Sequence, residues 1–198
     1  LRDLPKEPEQ TVARQETVLA KVPLNAIYVA FKMPARTDDA YQAYDLLSDV
    51  LSQGQSSRLY NRLLKEAQLF SDIHAYITSS IDEGLFVIEG KLVEGVTIEA
   101  AEAAIWKELD EIKAELVTVD ELTKVKNKTE SIMVFSEMSL LDKAMNLAYY
   151  ELLGDADLLN TEIDRYLSVT AEQIQAAAQQ VFKKEKSSTL YYLIDKDA

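Results

Sequence analysis

The chain has 198 residues, 47% hydrophobic and 28% charged, an ordinary globular composition at a length that suits one domain with a substantial core. Acidic residues outnumber basic ones 34 to 21, for a net charge of −13, and such a surface repels phosphate backbones and argues against a nucleic-acid role. There is no Cys, which excludes disulfides and thiolate metal sites, and no apolar run approaches the roughly 18 residues that a membrane span needs.

In chain order, Leu1 to Gln10 carries Pro5 and Pro8 among charges and starts without Met. It reads as the linker from an upstream domain, with residues 11–198 as a single domain. No signal peptide is visible. The compartment stays open between cytoplasm and periplasm, with the cytoplasm preferred. Thr11 to Lys21 is a polar strand candidate placed towards a sheet edge. Asn25 to Met33 is β-branched and aromatic, which predicts a strand buried on both faces or nearly so. Thr37 or Asp38 can cap a helix over Asp39 to Ser52, whose apolar residues follow helical spacing and which Gly54 closes.

A second, short amphipathic helix is expected over Ser57 to Ala67, with Ser56 and Ser57 as N-cap candidates. Leu69 to Ser79 alternates with period two and Leu85 to Val93 follows after a tight turn, which predicts an antiparallel hairpin. Thr97 caps a long helix with a stripe of Ile98, Ala101, Ile105, Leu109, Ile112 and Leu116. Thr118 to Glu121 is a capping-box pattern opening a helix through Leu122, Val125, Ile132 and Met133. After a break at Glu137 to Ser139, Leu141, Met145, Ala148 and Leu152 continue that apolar pattern, with Met138 at the break itself. A short helix spans Leu158 to Leu167, a second capping box is Thr170 to Gln173, and Ile174, Ala177, Ala178 and Val181 face the core from the last helix. Ser188 to Ile194 is a closing strand. Hairpins and grouped helices, without βαβ alternation, predict an α+β fold: a mostly antiparallel sheet with helices on one face.

Little in this inventory can carry chemistry. A catalytic zinc site takes three protein ligands, and this chain has one His and no Cys. His74 reads as a partly exposed structural histidine. No nucleophile elbow accompanies Ser56 or Ser57. Asp155 and Asp157 lack the rest of a calcium loop. Glu108, Asp110, Glu111 and Glu115 read as the solvated face of a helix. The sequence therefore assigns no catalytic, cofactor-binding or metal-binding residue.

One stretch does carry a resemblance. Gly54 stands in a turn followed by Ser56-Ser57-Arg58-Leu59-Tyr60, then Leu63, then Leu69. It resembles the C-terminal-type domain of the M16 (pitrilysin or insulinase-like) zinc metallopeptidases, which has S-S-R-L-F/Y followed by L-R-E-x-x-G-L-x-Y. The order of elements from Val12 to Ile194 agrees with that family and implies its fold, which is that of mitochondrial processing peptidase. The second half of the motif departs. The family's Arg falls on Leu64, its Gly on Gln68 and its Tyr on Ser71. In the family that Arg and Tyr reach across a chamber to the zinc site, where such donors stabilise charge on the attacked carbonyl. Leu64 cannot donate, and Ser71 is too short to stand in. Arg58, Tyr60 and Arg62 match other positions and are expected to steady the turn and helix.

The resemblance implies a non-catalytic domain that forms a wall of a peptide-binding chamber and a subunit interface. Zinc would be held by H-x-x-E-H in an upstream half. Partners would be that half, a peptide substrate, and another M16 subunit carrying the Arg/Tyr pair in a homo- or hetero-dimer. Two readings stay open: the parent is a zinc-bearing peptidase subunit, or both its halves are non-catalytic and it holds partners or peptides, like the M16-like core subunits of respiratory complexes. A free-standing binding module is a third.

Overall fold

The computed structural model describes residues 7–78 and 80–195. The first six residues of the expected linker, and Ser79 at the expected end of the third strand, lie outside the described residues. The strands are β1 (Arg14–Ala20), β2 (Ala26–Met33), β3 (Phe70–Ile77), β4 (Gly84–Leu92) and β5 (Ser187–Ile194). They form one sheet in the order β1-β5-β2-β4-β3, antiparallel throughout except for the parallel β1–β5 pair. The polar first strand takes an edge, where half its backbone groups face water. The fold is α+β.

The helices are α1 (Tyr41–Ser52), α2 (Ile98–Ala114), α3 (Val119–Ser136), α4 (Leu140–Leu153), α5 (Leu158–Ser168) and α6 (Ala171–Val181). Helices α1, α2 and α6 lie on one face of the sheet, α3 and α5 pack on α1, and α4 packs on α5. Strand β2 alternates: Ile27, Val29, Phe31 and Met33 are buried under the helices, while Tyr28, Ala30 and Lys32 on the other face are only half-buried. The expected burial on both faces is thus confined to one, because helices cover only that side. Phe182, just after α6, meets Phe31 and Phe86 edge to face at 5.3 and 5.0 Å, which locks the last helix to the two central strands. On β4, a Cβ at Gly90 would come within 2.6 Å of the Phe70 ring, so the absent side chain lets Phe70 lie flat on the neighbouring strand.

Several local expectations hold. Thr97 accepts from the Ala100 N–H, and Thr118 and Thr170 both close full capping boxes with Glu121 and Gln173. Others shift. Helix α1 starts at Tyr41 with Ala40 at its cap, and Asp38 instead tightens the preceding turn by accepting from the Ala40 N–H at 2.8 Å. Residues 7–10 of the expected linker are tied to the sheet end by the Glu7–Lys32 and Glu9–Lys186 pairs and by Gln10 donating to the Ser187 carbonyl. Leu116 is exposed, because α2 stops at Ala114.

The second helix begins at Arg58 and runs as a π-helix over Tyr60–Glu66. Its wide turn shows in the Ala67 N–H donating to the Arg62 carbonyl at 3.0 Å, five residues back. It ends at Gln68, whose φ of 52° is left-handed. This is the position where the family motif has Gly, and the turn keeps the conformation that Gly would adopt freely. A left-handed residue with a Cβ costs about 1–2 kcal/mol, and the extra chain entropy of Gly offsets roughly 0.5–1 kcal/mol of any gain. Gln68→Gly is therefore expected to stabilise the fold slightly and Gln68→Val to destabilise it by more than 1 kcal/mol on the same scale. Urea midpoints of the three proteins check the order.

Candidate functional site

The turn and π-helix from Gly54 to Glu66 are anchored by two guanidinium groups. Ser57 is buried and its hydroxyl donates to the Gly54 carbonyl at 2.7 Å, so it closes the turn and does not accept as an N-cap; Ser56 is exposed and accepts from Lys124. Arg58 is buried and grips Glu121 in a fork, Nε to Oε1 at 2.7 Å and Nη2 to Oε2 at 3.0 Å. Glu121 Oε2 also accepts from the Thr118 N–H at 2.9 Å. One carboxylate thus closes the α3 capping box and receives the turn. The Arg58 hydrogen bonds hold its carboxyl down at about 2, with the Thr118 bonds adding to them against the cost of burial.

Arg62 reaches α2, where it bonds Glu108 at 2.7 Å and also Glu111. Glu108 is buried, and its pKa is raised by desolvation although Arg62 opposes the shift. The expectation of a purely solvated acidic face on α2 is corrected here: two of its carboxylates turn towards the guanidinium of another element.

The two positions of the family's Arg/Tyr pair sit at either end of the turn into β3. Leu64 is half-buried and packs against the core. Ser71 is exposed at a bulge between Phe70 and Asp72, and its hydroxyl donates to the Lys91 carbonyl. The scaffold that would present the pair is intact, and neither side chain can serve as a long donor. His74 lies on the open face of the sheet, Nε2 2.7 Å from Asp72 Oδ1, with Lys91 on the other oxygen of that carboxylate at 3.2 Å. Nearby, Tyr76 donates to Glu89 at 3.3 Å. This face carries mixed aromatic and charged groups and no helix.

A third cluster had no signature in the sequence. Arg36, after β2, donates to Glu162 of α5 at 2.6 Å, and Gln42 of α1 donates to the same oxygen at 3.0 Å. Arg36 also reaches the Tyr150 hydroxyl and stacks on the Tyr41 ring at 4.4 Å. Tyr166 donates to Asp45. The partners lie 114 to 126 residues apart along the chain, so local pattern could not join them.

The apolar residues expected to continue the α3 stripe are the clearest departure. Ile132, Met138, Leu141, Met145 and Leu152 are all more than half exposed, and so is Phe135, which the stripe had not included. Helix α4 finds α5 on one side, and nothing in the described residues covers the other. Large apolar side chains exposed in such number are a general feature of surfaces that bind a partner.

The sequence profile of the family described as "Peptidase M16 inactive domain" matches residues 1–129, well over half of the chain. The chain belongs to the M16 inactive-domain family. It is 27% identical over 187 residues to the "Zinc protease PqqE" of Helicobacter pylori, covering 94% of this chain and 42% of that protein. A crystal structure of a protease from Helicobacter pylori superposes with a TM-score of 0.91 at 26% identity, over 98% of this chain and 47% of that one. A peptidase M16 inactive domain from Pseudomonas fluorescens superposes at 0.82 and 17% identity, over 98% of this chain and 46% of that one. The chain therefore spans less than half the length of these relatives.

The residues of this M16 inactive domain do not fit zinc. Its single histidine is on the open sheet face, and among the described residues no group of three or more His, Cys, Asp or Glu side chains is arranged to hold a metal ion. No helix among the described residues is long and apolar enough to cross a membrane.

What the motif does here is join elements, and Glu121 makes that testable. Its folded carboxyl titrates near 2 against an ordinary 4.5, so its contribution to stability is complete above about pH 4.5 and is lost as pH falls towards 2. Glu121→Gln is expected to cost about 1–3 kcal/mol at pH 7, the usual loss for a charged hydrogen-bonded partner. The gap to the parent protein should narrow as denaturation is repeated from pH 6 down to pH 3. A gap that stays constant over that range would assign the effect to packing.

Proposed function

We propose that this chain is the non-catalytic domain of a zinc-dependent M16 peptidase, forming one wall of its peptide-binding chamber and a subunit interface. The observation that carries the reading is the pairing of an intact motif scaffold with Leu64 and Ser71 at the donor positions. Such a domain can shape a chamber and hold a partner while the chemistry belongs elsewhere. Zinc, held by H-x-x-E-H, would come from an upstream half joined through residues 1–10. The Arg/Tyr donors would come from another M16 subunit in a homo- or hetero-dimer. The zinc-protease name of the Helicobacter pylori relative, which is more than twice the length that this chain covers, supports that division.

The open face of the sheet, with His74, Tyr76, Glu89 and Lys91, is the surface offered to the peptide. The exposed α3–α4 surface, which includes Phe135 and Leu141, is the face that docks the other half or subunit. Those apolar groups would be covered in the assembled protein, where each buried side chain contributes about 1.5–3 kcal/mol.

Zinc content decides between a peptidase and a holding subunit. About one zinc per chain is expected in the full-length protein purified without chelators, and none in this chain as the blank. Absence of zinc from the full-length protein would replace the peptidase with a subunit that holds a partner or a peptide. Sedimentation tests the interface separately. This chain alone is expected to self-associate at high concentration, and Phe135→Asp with Leu141→Asp is expected to return it to monomer. A strictly monomeric state of this unsubstituted chain at high concentration would count against the docking face.

A further inference from the structure

Between α1, α3, α4 and α5 lies a cleft of about 520 Å³ that none of the roles above uses. Its acidic lining comes from Asp45 and Asp49 of α1 and Glu162 of α5, and Met133 of α3 with Met145 of α4 supplies apolar wall. Glu137 and Asp142 lie at the junction of α3 and α4 and add two more carboxylates. The one basic residue in the lining is Arg36, already engaged by Glu162, Tyr150 and the Tyr41 ring.

Glu162 is the decisive group. It is fully buried, and Oε1 takes both hydrogen bonds, from Arg36 and Gln42. Oε2 is buried and has no hydrogen-bond partner among the described residues; the Arg165 guanidinium stands 3.7 Å from it. A buried carboxylate oxygen left without a hydrogen bond costs free energy, which a donor able to reach it would recover. Asp49 differs: it is half-buried and already takes a bond from Gln53, so it offers charge and not an unpartnered oxygen. Burial first, and the neighbouring Asp45 second, push its carboxyl up to about 6, against the opposing pull of Lys128 and Lys124 on α3 and a bond from Gln53. Asp45 itself is occupied by the Tyr166 hydroxyl.

The cleft thus offers one carboxylate oxygen without a hydrogen bond, on Glu162, and the half-buried carboxylate of Asp49, with thioether and aliphatic groups along its wall. A cation with several N–H donors on an apolar stem meets both needs. Guanidinium is less strongly hydrated than ammonium and carries its donors in a fixed fork, so it enters a partly buried carboxylate site at lower cost. Its three-methylene stem suits walls of Met and Ile.

We propose that this cleft receives an arginine side chain from a polypeptide segment lying across α3 and α4, the guanidinium satisfying Glu162 and Asp49. The source of that arginine rests on the docking face proposed above; the affinity of the cleft for it does not. The pocket would act as the polar anchor at the edge of an otherwise apolar contact, the arrangement in which an interfacial arginine becomes a hot spot. Binding strengthens as pH rises through about 6, where Asp49 ionises.

The test titrates this chain with the acetylated, amidated pentapeptide Ala-Leu-Arg-Leu-Ala, and with the same peptide carrying norleucine for Arg, following the methyl resonances of Met133 and Met145. A saturable shift is expected, with the arginine peptide bound about ten-fold more tightly than the norleucine one at pH 7.5, a difference of about 1.4 kcal/mol. Affinity for the arginine peptide should rise between pH 5 and 7. Asp49→Asn should lower that affinity and flatten the rise. This variant removes a charge that burial disfavours, so it stays folded where Glu162→Gln, which disturbs Arg36, need not. No saturable shift, equal binding of the norleucine peptide, or an Asp49→Asn protein with unchanged affinity and pH dependence would each overturn the site. A lysine peptide bound as tightly would overturn its assignment to arginine. Any of these results, with self-association through Phe135 and Leu141 intact, would leave the docking face standing without this anchor.

Discussion

The helical layers of this domain meet at one buried ion pair, Arg36 with Glu162. Neither side chain reaches water to any useful extent. Removing both charges from solvent costs several kcal/mol each, and the geometry must return it through close contact and further hydrogen bonds. It does so by recruiting four elements: the loop after β2 supplies Arg36, α1 supplies Gln42 and Tyr41, α4 supplies Tyr150 and α5 supplies Glu162. Helices α4 and α5 have no contact with the sheet comparable to that of α1 or α6. Their position is set through this polar contact and through the packing of α5 on α3 and α1, with α4 on α5.

The same logic runs through the motif region. Arg58 and Arg62 each leave the π-helix to meet carboxylates of the two long helices, Glu121 on α3 and Glu108 with Glu111 on α2. Three arginines therefore hold together what the hydrophobic core alone would leave free to slide. Within the M16 inactive-domain family this explains how the turn can keep its shape while Leu64 and Ser71 occupy the donor positions. The residues that build the scaffold and the residues that would touch a substrate are different residues: both donor positions have changed from the family motif, whereas the scaffold change at Gln68 keeps the left-handed turn.

The exposed α3–α4 surface and the acidic cleft beneath it belong to one face of the molecule. An apolar contact supplies affinity without much orientation, and a buried charge-assisted contact supplies orientation without much net affinity. Their adjacency would give the proposed docking face both, on the opposite side of the helical layer from the open sheet.

Much of this was legible in the residues alone, and the boundary has a physical cause. Strand alternation, the helix stripes and the capping boxes at Thr118 and Thr170 depend on neighbours within four positions, so local sequence determines them. The M16 motif was legible for the same reason, and its Gly position even marked the left-handed turn that Gln68 occupies. A hydrophobic stripe, however, has the same period whether its own chain or a partner covers it. Met145 and Leu152 therefore read as core residues, and only the packing of α4 on α5 revealed them as exposed. Charged residues carry still less local information. Glu108 on a helix surface pattern and Glu162 among polar neighbours gave no sign of burial, because their partners, Arg62 and Arg36, arrive from 46 and 126 residues away. Short-range sequence determined the elements and the family; long-range geometry alone decided which charges are buried, which apolar face is open, and which oxygen of the paired Glu162 carboxylate lacks a hydrogen bond.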